Sequence, residues 1–184
     1  SIGHRNRHLV GSRQTLCDEL VGGYRNEHHH GHDYRLEYDE PTVWRTEQIA
    51  AGYIIYGPQT GLMVTFGDGT LSFILDPDSD EFVLLNDRVE VPEASSEFAI
   101  NASNYRHWEA PMRAYIDDCI SGSTGPHGDN FNMRWIASMV AEAHRILMRG
   151  GVFLYPRDNK DPARNGRLRL LYEANPIGMI MEQA

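Results

Sequence analysis

Cysteine is scarce in this chain: two in 184 residues. Cys17 and Cys119 lie too far apart for a metal or redox motif. A disulfide-built scaffold is therefore excluded, and a reducing compartment is the natural setting. Long apolar runs are missing as well. No stretch approaches the roughly 18 residues that a membrane helix needs. The opening residues carry His4, Arg5, Arg7, His8 and Arg13 without the apolar segment of a signal peptide. These absences predict a soluble, cytoplasmic protein. Net positive charge is lacking too, at −9, which argues against a general nucleic-acid binder, since such proteins need a basic face.

What is there reads as one globular domain or a large part of one, with 41% hydrophobic and 23% charged residues. The charge is uneven. From His144 to Arg169, seven cations (Arg145, Arg149, Arg157, Lys160, Arg164, Arg167, Arg169) face only Asp158 and Asp161, giving +5 there and −14 elsewhere. Such a stretch suits a small anionic ligand, or is simply a solvated charged loop.

Residues 1–46 hold six of the nine histidines and show no sustained period. His28-His29-His30-Gly31-His32 is either a transition-metal chelator or a solvated loop. From Ile49 the pattern becomes regular. Ala50–Gly57 and Leu62–Phe66 are strand-like, and Leu71–Leu75 with Glu81–Leu85 flank the turn Asp76-Pro77-Asp78-Ser79-Asp80 as an antiparallel hairpin. Helices are predicted over Tyr105–Ile120 and Met133–Arg149. In the second, Trp135, Ile136, Met139, Val140, Ala143, Ile146 and Leu147 form one stripe, and Gly150-Gly151 stops it. Strands Val152–Tyr155 and Leu168–Tyr172 follow, then a helix with Asn175 as N-cap and Pro176 in its first turn.

Glu173 falls at this last strand-to-helix junction, where α/β folds place ligand-handling groups. A magnesium ion takes one or two carboxylates and fills its octahedron with water and phosphate oxygens. The competing role is a first-turn glutamate that favours the helix dipole. Arg167 and Arg169 alternate on the predicted strand and so share a face, for phosphate or for solvent. Arg134, in the first turn of a predicted helix, is poorly placed for the dipole and calls for an anion or simple exposure. Tyr155 either stacks on a sugar or packs in the core.

Several segments carry a resemblance: Ala50-Ala51-Gly52-Tyr53-Ile54-Ile55-Tyr56-Gly57-Pro58-Gln59-Thr60, Phe73-Ile74-Leu75-Asp76-Pro77, Ala99-Ile100-Asn101-Ala102-Ser103-Asn104, Met133–Ala141, His144-Arg145, Gly150–Pro156 and Arg167–Pro176. In that order, over about Glu47 to Ala184, the chain resembles the C-terminal half of class I fructose-1,6-bisphosphatase of bacterial type. The resemblance implies an α/β fold of layered mixed sheet and helices of the sugar-phosphatase type, incomplete here. Residues 47–184 would be the sugar-phosphate-binding part and 1–46 a divergent stretch. It further implies Mg2+-dependent hydrolysis of the 1-phosphate of fructose 1,6-bisphosphate, in gluconeogenesis or the Calvin cycle, by a homotetramer.

Residue by residue, Glu173 matches the family's magnesium ligand in Leu-Tyr-Glu-x-Asn-Pro and is the catalytic candidate. Asn101 and Tyr155 match the 6-phosphate pocket. Arg134 matches an arginine that reaches the 6-phosphate of a neighbouring subunit. Trp135 stands where many members have tyrosine, and Arg167 where many have lysine. The family's Asp-Pro-Leu-Asp-Gly-Ser-Ser metal motif is absent, as are its other N-terminal carboxylates and the AMP-binding region. Ser1-Ile2-Gly3 matches a place just after that motif, and the family continues past Glu182-Gln183-Ala184. The chain thus reads as a fragment, inactive alone. The alternatives are a sedoheptulose-1,7-bisphosphatase and a non-catalytic sugar-phosphate-binding or oligomerising remnant.

Overall fold

A computed structural model describes residues 48–163 and 166–184. The predicted loop of residues 1–46, with Cys17 and the histidines at 28–32, lies outside them. Aromatic and β-branched residues bounded by glycine build a four-stranded antiparallel meander: β1 (Ala51–Ile55), β2 (Gly61–Thr65), β3 (Thr70–Asp76) and β4 (Glu81–Val89), in that order across the sheet. Register places Tyr53 opposite Met63 and Met63 opposite Ser72, so alternate side chains reach one buried face. The β3–β4 hairpin is as expected. The Asp76 carboxylate accepts from the Asp78 amide at 3.1 Å and the Ser79 hydroxyl at 2.8 Å, which bends the chain back. At the sheet's far edge β4 exposes Phe82, Val83, Leu84 and Leu85.

Beyond β4 the pairing changes character. β5 (Glu97–Ile100) is the middle of a parallel sheet, between β6 (Asn132–Met133) and β7 (Val152–Leu154). Every residue of β5 and β7 is buried apart from the ends of their loops, as expected where helices cover both faces. Phe98, Ile100, Val152 and Leu154 pack against Trp108 and against Ile116 and Cys119 of α1 (Ala110–Ile120). On the other face Ala99 and Phe153 meet Ala143, Ile146 and Leu147 of α2 (Met139–Arg149), in one core with Tyr53 and Met63 of the meander. That core is closed by Ile177, Ile180 and Met181 of α3 (Asn175–Gln183), whose Ile180 carbonyl accepts from Thr70 Oγ1 at 2.9 Å. The fold is therefore mixed α/β in layers. Inside it the Tyr53 hydroxyl meets His144 Nδ1 at 3.2 Å; burial pushes the phenol's pKa up and the imidazole's down, which keeps both neutral.

Four expectations need correction. The helix predicted over Met133–Arg149 begins only at Met139; Met133 lies in β6, and Arg134 to Ser138 run as an irregular connection with Ala137 at φ 63°. Arg134 is thus not in a helix, and the dipole argument for it fails. The helix predicted over Tyr105–Ile120 is broken into a 3₁₀ segment, Ala102–His107, and α1. Pro111, which lacks an amide hydrogen, suits the first turn of a new helix rather than the middle of a long one. No strand forms over Leu168–Tyr172. Leu170–Ala174 is a π-helical turn that runs directly into α3, so Ala174, not Asn175, occupies the cap, while Pro176 is in the first turn as expected. Arg167 and Arg169 consequently share no strand face.

Gly150-Gly151 does stop α2. Gly150, at φ 72°, returns its amide to the Ile146 carbonyl at 2.7 Å. Gly151, at φ 112°, lies so close to β5 that a Cβ there would come 2.7 Å from the Glu97 carbonyl oxygen. Ile180 is fully buried, whereas Ile120 is 67% exposed. Ile180→Ala should cost about 2–5 kcal/mol in urea unfolding, and Ile120→Ala should stay within about 0.5 kcal/mol. Equal losses at both positions would contradict this core.

Candidate functional site

Parallel strands release their following residues at one edge, and four of the candidate residues follow strands of this sheet. Ile100 pairs with Leu154, so Asn101 and Tyr155 leave the carboxyl ends of adjacent strands. Phe98 pairs with Met133, so Arg134 and Trp135 leave the neighbouring end on β5's other side. Ligands of open α/β sheets bind beyond such ends. Trp135 and Tyr155 are brought into contact: the indole stacks on Phe153 at 5.7 Å and 15°, and meets the Tyr155 ring edgewise at 5.8 Å. Both residues are half-buried, so each combines core packing with a face toward solvent. The Asn101 carboxamide accepts from the Ser103 amide at 3.2 Å and caps the 3₁₀ segment.

The Arg134–Ser138 connection is pinned from beneath by two buried carboxylates. Arg134 donates its amide to the Phe98 carbonyl at 2.7 Å. Glu142, with no exposed surface, accepts the Ile136 amide at 2.6 Å and the Arg145 guanidinium at 3.2 Å. Glu97, at the start of β5, accepts from Arg145 at 2.8 Å, Arg149 at 2.6 Å and Arg134 at 3.5 Å. Burial raises the Glu97 pKa, but the Arg145 hydrogen bond and the charges of Arg149 and Arg145 lower it further, so it stays ionised. Neither glutamate stood out in the sequence. One signal was there: Glu142 sits three residues after Met139 and one before Ala143, on the apolar stripe itself, with Arg145 beside it.

The described arginines of the basic stretch are each paired with an acid within the molecule. Arg145 and Arg149 meet Glu97, Arg157 meets Glu109 at 2.5 Å, Arg167 meets Asp158 at 3.2 Å, and Arg169 meets Glu173 at 2.9 Å. The Glu173 carboxylate also accepts the Arg169 amide at 2.8 Å, while its own amide returns to the Arg169 carbonyl at 3.0 Å. The side chain thereby satisfies the amide of the cap residue, while the backbone bond is that of the turn itself. Burial raises the Glu173 pKa, and the Arg169 hydrogen bonds and charge bring it below the usual range. Among the described residues no hydrogen bond or ion pair joins Glu173 to Arg167, Tyr155 or Asn101. Nor do these residues contain any group of three or more His, Cys, Asp or Glu side chains able to hold a metal. Glu173 offers a single carboxylate, so this donor set does not by itself fit a divalent cation.

Residues 91–184 match the family described as "Fructose-1-6-bisphosphatase, C-terminal domain". A class 1 fructose-1,6-bisphosphatase of Hydrogenophilus thermoluteolus is 63% identical over 139 residues, covering 76% of this chain and 39% of that protein. One from Cereibacter sphaeroides (strain ATCC 17025 / ATH 2.4.3) is 64% identical over 139 residues, covering 76% and 42% respectively. Among solved structures, Leishmania major fructose-1,6-bisphosphatase in its holo form superposes with a TM-score of 0.70 at 39% identity, over 77% of this chain and 42% of that one. The chain spans about two fifths of the length of the curated relatives it matches. No helix among the described residues is long and apolar enough to cross a membrane.

Asp158 is a further buried carboxylate with no role legible in the sequence. Burial pushes its pKa up, and Arg167 with the amides of Lys160 and Asp161 pulls it below the usual range. An acid that binds its proton less tightly when folded stabilises the fold above its ordinary pKa of about 3.9 and loses that contribution as pH falls through the folded value. Asp158→Asn should therefore cost about 1–3 kcal/mol near pH 7, with the gap to the parent chain closing below pH ~4. A gap that does not change with pH in thermal melts would contradict the pairing.

Proposed function

The chain belongs to the fructose-1,6-bisphosphatase family, which it matches through the C-terminal domain, and from that premise we propose that residues 47–184 are the sugar-phosphate-binding part of a class 1 enzyme. In the complete protein the reaction would be hydrolysis of the 1-phosphate of fructose 1,6-bisphosphate. The observation that carries this reading is that Asn101, Arg134 and Tyr155 each directly follow a strand of one parallel sheet, with Trp135 in ring contact with Tyr155; the Arg134 guanidinium itself rests on Glu97. A sugar phosphate needs those three chemistries together: an amide for hydroxyl or phosphate oxygens, a guanidinium for the phosphate, and an aromatic face for the sugar's C–H surface. Holding the remote phosphate there would fix the reacting end in place.

Arg167 would add positive charge at this edge, at the expense of its bond to Asp158. Glu173 would supply one carboxylate to the divalent metal, Mg2+ in this reading, whose role when bound is to activate water and neutralise phosphoryl charge. Its remaining donors would come from outside the described residues. A homotetramer and a cytoplasmic location belong to the same reading.

Titration calorimetry of the 184-residue chain with fructose 6-phosphate tests it. Saturable binding is expected, weakened about tenfold or more by Arg134→Ala or Tyr155→Ala and unaffected by Asp129→Ala on a remote loop. Absence of binding, or binding indifferent to both substitutions, would sink the proposal. With Mg2+ and fructose 1,6-bisphosphate the chain alone should release no phosphate above a blank. Turnover there would show that the chain supplies the remaining metal donors itself.

A further inference from the structure

Two buried carboxylates, Glu97 and Glu142, are shared by three guanidiniums, so the cluster carries one surplus positive charge. Geometry says which cation is in surplus. Arg145 is 11% exposed and bridges both acids, so it is locked. Arg149 makes the shortest contact, 2.6 Å to Glu97 Oε1. Arg134 shares that same oxygen at 3.5 Å, the limit of a hydrogen bond, and its side chain is 47% exposed. Its backbone has no such freedom. The Arg134 amide is tied to Phe98, the Ile136 amide to Glu142, and Ala137 is held at φ 63°, a conformation that costs a non-glycine residue energy. Only the guanidinium can move, from a point fixed at the sheet's carboxyl edge.

We propose that Glu97 is a positioning residue for Arg134. It parks the guanidinium on an oxygen already claimed by Arg149, and surrenders it to a phosphate that offers two free oxygens at once. A bidentate phosphate outcompetes one shared carboxylate oxygen, whereas a monovalent anion does not. The ease with which Arg134 answers a phosphate is thus set by how crowded Glu97 is. This rests on the reading that Arg134 serves a phosphate, but the parking itself can be measured without any sugar.

The measurement is the rate at which phenylglyoxal modifies each arginine of the 184-residue chain, followed by peptide mass spectrometry. Glu97→Gln keeps the shape and removes the charge, so Arg134 should react about two to five times faster. Exposed Arg106, whose guanidinium bonds to the Ser103 carbonyl, should keep its rate. Glu97→Asp, which restores the charge, should return Arg134 toward the parent rate. Arg149→Gln removes a 63% exposed side chain and leaves the oxygen to Arg134 alone, so Arg134 should slow. Inorganic phosphate should protect Arg134 at lower concentration in Glu97→Gln than in the parent, the opposite of what mere loss of structure would do. The proposal is overturned if Arg134 keeps its rate in both Glu97→Gln and Arg149→Gln, if it quickens in Arg149→Gln, or if Arg106 and Arg134 quicken together. Failure to bind fructose 6-phosphate with these rates as expected would remove the functional reading and leave the parking intact.

Discussion

The half of the molecule that holds the candidate residues depends on the ion pair between Arg145 of α2 and Glu97 of β5, extended by Glu142. It ties the helix to the central strand of the parallel sheet and, through the Ile136 amide, to the connection that follows β6. Buried charge is costly to desolvate, and such clusters add little net stability over well-packed apolar side chains. What they do is penalise every arrangement in which one member is missing. Here Arg145 is bonded to both acids and Glu142 also holds the Ile136 amide, so strand, helix and connection must be in place together. The neighbouring Gly151 belongs to the same constraint, because only a residue without Cβ lets the chain pass the Glu97 carbonyl so closely.

Much of the frame was legible in the sequence. Alternation and turn chemistry gave the meander and its Asp76 turn, and paired glycines gave the end of α2. Two of the misreadings have a common cause. Trp135 and Ile136 fall at helical spacing with Met139, yet the indole stacks on Phe153 and Ile136 is 51% exposed, so the periodicity there was coincidental. Leu168, Leu170 and Leu171 look like a strand until Glu173 reaches back to the Arg169 amide and winds the backbone into a turn. In both cases a carboxylate several residues away decided the backbone, and local propensity does not register such a partner.

The candidate site was legible only in part. Asn101, Trp135 and Tyr155 were singled out through family resemblance, and they lie along one edge, with the two aromatic rings in contact. Charge counting misled: the basic run between His144 and Arg169 counts as a cationic surface on paper, but its described arginines are each matched with an acid, several from distant parts of the chain. Sign along the sequence cannot show pairing across the fold, which is why the partners of Glu97 and Asp158 went unremarked.

Topology also orders events in time. The meander joins neighbours along the chain, so it can nucleate from its own hairpins within a short loop-closure time. β5 has no such neighbour; it must wait until Asn132 and later Val152 return to flank it, and non-local parallel pairing of this kind is slow. A nascent chain would therefore own a finished antiparallel platform well before it owned any edge on which a ligand could rest.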